Sequence, residues 1–476
     1  MSITGITGYG VFIPILRLNR AAIAAAHAWH APGLKRLAKG VRAIANWDED
    51  AVTLAVEAAR GCVAHAPETM ILASTSLPFV DRQNSGIVKE ALALADDILT
   101  IDITGSQRAG TSALLTALRA GPALCIAAEK HRPQPGSESD LTTADAAAAI
   151  ATGNDNVIAE LVASHSVSVD FVDHFRAADA EFSYGWEARW IRDEGYGKIM
   201  PATIKTLLEE ANVEPSAIDH FAFGSPNHGV ATTVAKILGI ATDALDETLT
   251  RDVGDAGAAQ PLLLLANSLE TATPGQLILV AGFGQGCDAM LFRTTEEILK
   301  YQSTHRVADA VQRAEVTSDY LRYLALAQLI NVDRGMRAEH TFKTPLTALY
   351  RNRKAVMGLI GGRCTKTGTV QFPKSDLSVN QNDPSFQTQE DYRFADIPAK
   401  IVTHTADRLA YTPSPPYYYG TIDFEGGGRM VAEFTDCEQD NLEVGADVKM
   451  MFRVKKRDED RKFTQYFWKA VPAVRD

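Results

Sequence analysis

The chain has 476 residues, of which 46% are hydrophobic and 22% charged, the balance of an ordinary globular protein of two or three domains. Its formal net charge of −12 argues against a general nucleic-acid-binding protein, because phosphate binding needs a basic surface. The five cysteines are an odd number with no closely spaced pair, which is typical of a reducing compartment. No basic leader precedes an apolar core near the N-terminus, and no run of about 20 apolar residues occurs. We therefore expect a cytoplasmic protein with no nucleic acid or membrane as partner.

From the start to about residue 300, short apolar runs alternate with alanine-rich helical patterns. This alternation predicts an α/β fold whose strands pair mostly in parallel. The predicted buried strands lie at 68–75, 97–103, 122–129, 145–153, 218–225, 276–284 and 287–294.

An internal duplication is visible in this part of the chain. Residues 109–129 and 256–282 share a small-residue turn, a helix, a glycine break and a buried strand, which makes Gly110 equivalent to Gly257. Two similar halves predict a pseudo-twofold body, and ligands of such folds bind at strand C-terminal ends, where loops of both halves meet. The segments predicted to lie there are Thr104–Gly110, Gly224–Gly229, Gly254–Gly257 and Gly282–Gly286.

The sequence changes character twice after residue 304. Residues 305–345 have a polar, helical pattern, which predicts a helical connector. From residue 346 onward, proline, tyrosine and alternating β-branched residues predict several short strands, as in a small all-β barrel.

Several segments of residues 1–304 resemble hydroxymethylglutaryl-CoA synthases and type-three ketoacyl synthases of the thiolase superfamily. They are GYGVFIPILRL at 8–18, WDEDAVTLAVEAA at 47–59, GTSALLTAL at 110–118, TVAKILGI at 233–240 and the glycine-rich run 253–286. Residues 346–476 resemble the zinc ribbon and OB fold that accompany acyl-CoA thiolases and synthases, through GGRCTKTGTVQFP at 361–373 and the tyrosine-rich run 415–436.

This resemblance implies a fold of the α/β class, a duplicated thiolase-fold body with a C-terminal all-β OB-fold domain. It implies an acyl-CoA substrate, with coenzyme A as the substrate carrier, and no bound cofactor is predicted. It also implies a homodimer, in which the segment Ala73–Phe79 lies near the interface.

The positions that carry catalysis in the family are changed here. Gln107 stands where the family has its nucleophilic cysteine, and Gly224 stands where it has its histidine. Asp255 corresponds to the asparagine of the condensing enzymes, and no carboxylate lies in Ser74–Ser76, near the family's acid. Because glutamine cannot form an acyl-enzyme, we predict chemistry without a covalent acyl-cysteine intermediate.

The zinc ribbon is also degenerate. The family has two Cys-x-x-Cys pairs, whereas this chain keeps Cys364 and has Thr367, Ser378 and Gln381 at or near the other positions. Since one thiolate cannot hold a structural zinc ion, we predict no metal in this segment.

Four residues are candidates for catalysis. His228 can act as a general base, or it can be a helix-start histidine with a structural hydrogen bond. The amide of Gln107 can donate to a carbonyl or enolate oxygen, whereas Ser106 as a nucleophile needs a base within reach. The duplication places Asp255 opposite Arg108, and this pair either positions a polar substrate or forms a buried structural ion pair.

Candidates for substrate binding surround these positions. Residues 171–198 are rich in aromatic and charged side chains and lie where relatives have a loop near the acyl site, although aromatics at helical spacing more often belong to a core. The turn 282–286 is followed by a strand rather than a helix, which argues against a nicotinamide site and favours backbone donors to an oxyanion. The substrate-binding candidates are Arg108, Ser225, Asn227, Gly284, Tyr196 and His174, and Tyr184 and Glu187 are further pocket candidates.

Two functions fit these features. The first is an acyl-CoA-dependent C–C bond enzyme that cleaves a β-keto or β-hydroxy acyl-CoA by a retro-Claisen or retro-aldol reaction, releasing an acetyl-CoA-type product. Its acyl group can carry an aromatic or steroid side chain. The second is a non-catalytic scaffold or CoA-ester-binding partner of another thiolase-family enzyme. Polar side chains that converge around Gln107 favour the enzyme, and apolar side chains there favour the scaffold.

Overall fold

Apolar runs separated by polar turns form the strands, as expected for segments that are buried on both faces. The computed structural model describes residues 4–62, 67–225, 227, 229–338, 342–438 and 442–473. They divide into two units. The first holds the residues up to Asn46, Asp50–Gly86 and Ala95–Leu329, and the second holds Trp47–Glu49, Ile87–Leu94 and the residues from Ile330 onward.

The first unit is an α/β body. Its strands are β1 (Gly5–Phe12), β2 (Leu16–Asn19), β3 (Val41–Ala43), β4 (Thr69–Ala73), β5 (Leu99–Ile103), β6 (Ala123–Glu129), β7 (Ala146–Gly153), β8 (Ala159–Ser168), β9 (His174–Phe175), β10 (Tyr184–Gly185), β11 (His220–Ala222), β12 (Leu277–Phe283), β13 (Gly286–Thr294) and β14 (Glu315–Thr317).

Helices separate many of these strands. They are α1 (Arg20–Ala26), α2 (Ala51–Arg60), α3 (Asn84–Ala91), α4 (Ala109–Ala120), α5 (Glu138–Thr142), α6 (Ala188–Trp190), α7 (Met200–Ala211), α8 (Val230–Leu238), α9 (Thr248–Asp252), α10 (Gln260–Thr271), α11 (Val307–Gln312) and α12 (Tyr320–Leu326). Two further helices, α13 (Leu346–Arg351) and α14 (Arg353–Met357), belong to the second unit. Among the described residues, no helix combines the length and the apolar character that crossing a bilayer requires.

Nine strands of the first unit form one sheet in the order β11-β12-β13-β8-β1-β7-β6-β4-β5. The order β4-β6-β7-β1 of the first half repeats as β11-β12-β13-β8 in the second, so the predicted duplication is present in the sheet. The prediction of mostly parallel pairing is wrong. β4 is parallel to β5 and to β6, and β11 is parallel to β12, but the other neighbours in this sheet are antiparallel. For β12 and β13 the physical reason is chain length, because the short turn between them leaves no room for a parallel crossover.

The two duplicated helices α4 and α10 lie in the core of this unit. Both bury residues around most of their circumference, as helices enclosed by other elements do. A Cβ added at Gly110 would lie 2.0 Å from the carbonyl oxygen of Ala258, which precedes α10. Glycine at position 110 therefore allows the start of α4 to approach the start of α10 closely, and both helix starts contribute to the site described below.

The second unit is mainly β-structure. Its strands are β15 (Ile360–Cys364), β16 (Val370–Gln371), β17 (Gln389–Arg393), β18 (Ala399–Asp407), β19 (Tyr417–Phe424), β20 (Arg429–Glu433), β21 (Asp447–Asp458) and β22 (Phe463–Pro472). The last five strands form an antiparallel sheet in the order β20-β19-β18-β21-β22. The side chains of Phe452 and Trp468 are fully buried in its core, with ring centroids 5.4 Å apart.

A buried ionic cluster lies in the second unit and consists of Asp48, Glu49, Asp436, Arg453 and Lys469. Lys469 Nζ lies 3.0 Å from Asp48 Oδ2, and Arg453 Nη2 lies 2.7 Å from Asp436 Oδ2 and 3.0 Å from Glu49 Oε1. All five side chains are almost fully buried. Since a buried charge is costly unless paired, this cluster holds the short segment Trp47–Glu49 in the second unit.

The homodimer stays a prediction, and the sheet offers an edge for it. β4 lies inside the sheet, whereas β5 is an edge strand with Leu99 58% exposed. Unpaired edges invite pairing with a second chain, and a twofold axis satisfies them. We expect light scattering at micromolar concentration to give about twice the chain mass of 51.5 kDa. We expect Leu99→Lys to shift the protein toward monomer, and a wild-type monomer under these conditions would contradict the prediction.

Candidate active site

A cavity of about 550 Å³ opens in the first unit, beside the C-terminal ends of β4 and β5 and the start of α4. Three of the four segments singled out by the duplication border this region: Thr104–Gly110, Gly282–Gly286 and, behind Gln107, Gly254–Gly257. Its lining is mostly polar, in contrast to the apolar core around α4. The residues that line it are Ser74, Thr75, Leu77, Phe79, Val80, Asn84, Asp102, Thr104, Gly105, Ser106, Gln107, Asp173, His174, Phe175, Arg176, Ser183, Gly284 and Gln285.

Ser106 ties the start of α4 to the turn between β12 and β13. Its hydroxyl donates to the carbonyl oxygen of Gly284 at 2.8 Å and accepts from the backbone N–H of Arg108 at 3.1 Å. A Cβ at Gly284 would lie 2.6 Å from Ser106 Oγ, so only glycine allows this approach. The hydroxyl proton is therefore engaged by a carbonyl, which favours a structural role for Ser106. The N–H of Gly284 is also engaged, by the carbonyl of Gly286 at 3.0 Å.

Gln107 lines the cavity, and its amide oxygen points to a buried position behind the cavity wall. Oε1 is buried and has no hydrogen-bond partner among the described residues. A Cβ at Gly257 would lie 2.6 Å from this oxygen and 2.8 Å from Nε2 of His131. Gly257 has φ +55°, so both its backbone conformation and the space around it favour glycine. Gln107 and His131 thus both pack closely against Gly257.

His131 lies behind Gln107, next to the cavity wall, and was not among the candidates predicted from the sequence. It follows β6, and its ring is largely buried. Nδ1 lies 2.8 Å from the carbonyl oxygen of Ala144, and the backbone N–H of His131 donates to Asp145 Oδ1 at 2.8 Å. The sequence does contain a feature that could have identified His131. It comes shortly after a predicted strand, at the edge of the sheet where the glycine-rich segments also lie.

Glu129 brings a carboxylate to Thr75 and Ser76. Its Oε1 accepts from the backbone N–H of Thr75 at 2.6 Å and from the Thr75 hydroxyl at 3.0 Å, and its Oε2 accepts from the Ser76 hydroxyl at 2.6 Å. Burial raises the pKa of Glu129, against the opposing effect of His131 and these hydrogen bonds. The segment Ser74–Ser76 itself contains no carboxylate, as the sequence shows. In the structure, however, Glu129 at the end of the neighbouring strand β6 brings a carboxylate to it.

His174 and Asp173 form an acid–base pair in the cavity wall. Nδ1 of His174 lies 3.1 Å from Asp173 Oδ1, and about one third of the His174 side chain remains exposed. The hydrogen bond to Asp173 raises the pKa of His174, against the effect of burial. Such a pair can deliver or accept a proton in the cavity.

The comparisons with known proteins agree with this architecture. A family model described as 3-oxoacyl-[acyl-carrier-protein] synthase III C terminal matches residues 208–294, and one described as ChsH2, C-terminal OB-fold domain matches residues 395–453. Hydroxymethylglutaryl-CoA synthase of Archaeoglobus fulgidus is 29% identical over 337 residues, which are 67% of this chain and 97% of the relative. The corresponding synthase of Pyrococcus furiosus is 28% identical over 341 residues, 68% of this chain and 95% of the relative.

Solved structures share the fold of the body. The crystal structure of a hydroxymethylglutaryl-CoA synthase complexed with CoA gives a TM-score of 0.62 at 17% identity, covering 72% of this chain and 94% of that one. The 3-oxoacyl-(acyl carrier protein) synthase III of Pseudomonas aeruginosa gives 0.55 at 19% identity, covering 62% and 98%. The chain is similar to hydroxymethylglutaryl-CoA synthases over its α/β body, and its second unit matches a C-terminal OB-fold domain. The predicted fold class is confirmed, an α/β thiolase-like body with an all-β OB-fold domain.

In this synthase-like protein, Arg108 does not meet Asp255 within the described residues. Its guanidinium lies 3.4 Å from Asp288 and donates to the Val167 carbonyl at 2.8 Å and the Ser168 hydroxyl at 3.1 Å. The expected pairing is therefore wrong, because the side chain of Arg108 extends toward β8 and β13. Arg108 serves as a structural anchor of α4 and does not line the cavity.

Asp255 and two further candidates lie behind the cavity. Asp255 Oδ1 accepts from the backbone N–H of Gly257 at 2.8 Å, and burial raises the pKa of this carboxyl, opposed by that bond, His131 and Arg20. Tyr196 is buried against Phe283, with ring centroids 4.7 Å apart, and bonds Ser225, as a core residue does.

The remaining candidates of the synthase-like body are less informative. Asn227 donates its backbone N–H to Ser225 Oγ at 3.2 Å, and Tyr184 and Glu187 are exposed. His228 lies outside the described residues.

The predicted loss of zinc in the OB-linked ribbon stays a prediction. Cys364 lies at the end of β15, with its sulfur 3.1 Å from the hydroxyl of Thr388. No group of three or more His, Cys, Asp or Glu side chains suited to a metal occurs in the part of the chain that the structure describes.

Proposed function

We propose that this protein is an acyl-CoA-dependent enzyme that cleaves a C–C bond without a covalent acyl-cysteine intermediate. Its substrate is a β-keto or β-hydroxy acyl-CoA, and retro-Claisen or retro-aldol cleavage releases an acetyl-CoA-type product. Coenzyme A enters as the carrier of the substrate. The thiolase-superfamily relatives, named for acyl-CoA and acyl-carrier-protein chemistry, support the substrate class.

One observation carries the proposal, namely the polar cavity at the former nucleophile position. Gln107 lines the same cavity as His174, and Asp173 holds His174 in a fixed orientation. Cleavage develops negative charge on the thioester oxygen as the enolate forms, and a fixed amide N–H stabilises such charge. The amide of Gln107 is therefore the proposed enolate donor, and the Asp173–His174 pair supplies or removes the proton that the cleavage requires.

The alternative is a non-catalytic scaffold that binds CoA esters for another thiolase-family enzyme. A scaffold has no need for an unpartnered buried amide oxygen beside a histidine, since burying such groups costs stability. The convergence of Gln107, His131 and Glu129 on one region thus favours the enzyme.

The direct test is incubation of the purified full-length chain with a panel of acyl-CoAs, followed by mass spectrometry. The panel contains acetoacetyl-CoA, 3-oxo-3-phenylpropanoyl-CoA and 3-hydroxy-3-phenylpropanoyl-CoA. Enzyme-dependent release of acetyl-CoA from at least one member supports the proposal. Binding of these esters with no turnover of any of them supports the scaffold instead.

Substitution of Gln107 tests its role. We expect Gln107→Ala to lower turnover by about a hundredfold, the scale for loss of one oxyanion donor, with little change in melting temperature. Gln107→Cys is expected to react with iodoacetamide but to gain no synthase activity, because Gly224 offers no histidine to the thiol. Steady-state kinetics and peptide mass spectrometry measure both effects. Full activity in Gln107→Ala would remove this residue from the mechanism.

A further inference from the structure

Three exposed aromatic side chains lie in a row along the hairpin of β9 and β10 in the first unit. Phe175, Tyr184 and Trp186 are 51%, 59% and 54% exposed. The ring centroids of Phe175 and Tyr184 are 5.7 Å apart, and those of Tyr184 and Trp186 are 6.4 Å apart. Exposed apolar side chains that form a continuous patch mark binding surfaces, whereas isolated ones are ordinary. We call these three side chains the aromatic strip.

The aromatic strip begins in the wall of the candidate active site. Phe175 lines the cavity of about 550 Å³, whereas Tyr184 and Trp186 lie outside this lining. Three further apolar side chains, in the segment 77–80, line the same cavity. The cavity therefore has apolar surface besides its polar groups, and the strip continues that surface beyond the cavity.

The backbone holds the aromatic strip next to the Asp173–His174 pair. Phe175 directly follows His174, and the ladder of β9 and β10 pairs Phe175 with Tyr184. The backbone N–H of Trp186 donates to the carbonyl oxygen of Asp173 at 2.9 Å. Residues paired across two antiparallel strands have their side chains on the same face, so Phe175 and Tyr184 form one surface. A ligand bound on the strip is therefore held by the hairpin that also carries the acid–base pair.

The substrate of the proposed function has a part that fits this surface. Gln107 and the Asp173–His174 pair are assigned to the thioester oxygen and to proton transfer, so the substituent on the β carbon has no assigned contact yet. Aromatic side chains contact planar rings in offset-stacked or edge-to-face arrangements, which add affinity beyond the burial of apolar area. We propose that the aromatic strip binds a planar aromatic substituent on the β carbon of the acyl-CoA.

This inference rests on the proposed function and narrows its substrate to a β-aryl acyl-CoA. It selects an aromatic group over a steroid, because the fused rings of a steroid are mostly saturated and cannot lie flat on an aromatic side chain. It also predicts weak binding of short alkyl esters such as acetoacetyl-CoA, whose β-methyl group is too small to reach from the cavity to the strip.

A second copy of the chain is the rival occupant of the aromatic strip. A stable interface between two proteins involves roughly 20–30 residues on each side. The strip consists of three side chains and is continuous with the cavity through Phe175. Its size and this continuity favour a small planar ligand over a second protein surface.

Binding of inert ligands tests the inference separately from catalysis. CoA thioethers lack the thioester carbonyl, so they form no enolate and are not cleaved. S-[3-(2-naphthyl)propyl]-CoA and S-[3-(2-decahydronaphthyl)propyl]-CoA share one carbon skeleton, but only the first has a planar ring system. S-propyl-CoA has no ring system. Isothermal titration calorimetry with the full-length chain measures the Kd of each thioether.

We expect the naphthyl thioether to bind about tenfold more tightly than the decahydronaphthyl thioether, the scale of one good aromatic contact, and the propyl thioether to bind most weakly. Decahydronaphthyl binding as tight as naphthyl binding would overturn the inference and leave the proposed function intact. Equal Kd values for the naphthyl and propyl thioethers would do the same. Naphthyl selectivity with no acetyl-CoA release from any acyl-CoA of the panel would support the aromatic site and contradict the proposed cleavage. No binding of any thioether would contradict both.

Variants then assign the selectivity to the aromatic strip. We expect Trp186→Ala to reduce the ratio of the propyl Kd to the naphthyl Kd about tenfold, and Trp186→Phe to keep most of it, because phenylalanine retains a ring. The matched control is Tyr350→Ala, since Tyr350 is an exposed aromatic residue on α13 of the second unit and does not line the cavity. We expect the control to keep the wild-type ratio.

An unchanged ratio in Trp186→Ala, with the fold checked by circular dichroism, would overturn the assignment to the strip. If light scattering also showed that this variant changes from dimer to monomer, the strip would belong to an interface between two copies of the chain instead.

Discussion

Replacing Asp288 with alanine is expected to lower the free energy of unfolding of the first unit by about 3–5 kcal/mol, as for a buried ion pair that loses one partner. The side chain of Asp288 is 2% exposed on β13. It accepts from the hydroxyls of Thr111 at 3.1 Å and Ser112 at 2.6 Å, from Ser166, and it pairs with Arg108 at 3.4 Å. The substitution removes the buried carboxylate that Arg108 and three hydroxyl groups share.

Chemical denaturation measures this effect, with Glu209→Ala as the control. Glu209 is an exposed acidic residue of α7, and its replacement is expected to change stability by no more than about 0.5 kcal/mol. Arg108 directly follows Gln107, so we also expect lower turnover in Asp288→Ala at temperatures where the variant is folded. A loss of stability below about 1 kcal/mol would show that the contact between Asp288 and Arg108 does not hold α4 in place.

The second large effect is expected for Asp48→Ala, which should destabilise the OB-fold unit by about 3–5 kcal/mol. Asp48 Oδ2 lies 3.0 Å from Lys469 Nζ and accepts from the Thr435 hydroxyl at 2.9 Å. Both charged side chains are almost fully buried, so removal of Asp48 leaves Lys469 with Glu433 at 3.4 Å as its remaining acidic neighbour. Hydrogen exchange of the β21 and β22 amides measures the loss.

An exposed pair in the same unit provides the control. Lys400 and Asp447 lie 3.4 Å apart with both side chains about two thirds exposed, and Asp447→Ala is expected to cost less than about 1 kcal/mol. Equal protection losses in the two variants would contradict a special role for the buried ionic cluster.

The stability of the OB-fold unit is expected to change with pH in a direction that follows from the pKa of Asp48. Burial acts to raise the pKa of Asp48, but Lys469 and Arg453 outweigh it and hold the pKa below its usual value. A carboxylate with a lowered pKa contributes stability that is fully present above its unfolded pKa of about 3.9 and is lost as the pH falls through the folded value. The OB-fold unit is therefore expected to keep this contribution at neutral pH and to lose it only in acid.

Much of the fold was predictable because burial on both faces leaves a continuous apolar run in the sequence. The strands that became β4, β6, β7, β12 and β13 were all visible in this way. Their direction was not, since an apolar run has the same pattern in a parallel and in an antiparallel ladder. The two similar halves were predictable from the duplication rather than from periodicity, because Gly110 and Gly257 mark equivalent helix starts.

The sequence predicted those parts of the candidate site that come from the glycine-rich turns. It did not predict the parts that depend on which strands are neighbours in the sheet. Ser106, Gln107 and Gly284 do come together, because glycine-rich turns meet at the strand C-terminal ends. His131 and Glu129 were missed because their importance depends on which strand lies beside which. The predicted partner of Arg108 was wrong because the equivalence of Gly110 and Gly257 places backbone positions only. It does not determine the direction in which a long side chain such as that of Arg108 extends.

The position of Glu129 has a consequence for how relatives of this protein are compared. Residue-by-residue comparison with synthases finds no acid in Ser74–Ser76, yet a carboxylate lies within hydrogen-bonding distance of Thr75 and Ser76. Adjacent strands of a sheet present their ends at the same edge, so a chemical group can be provided by either strand while the reaction centre stays in place. Related chains are therefore better grouped by the functional groups that surround a common point in space than by the residue in a given alignment column.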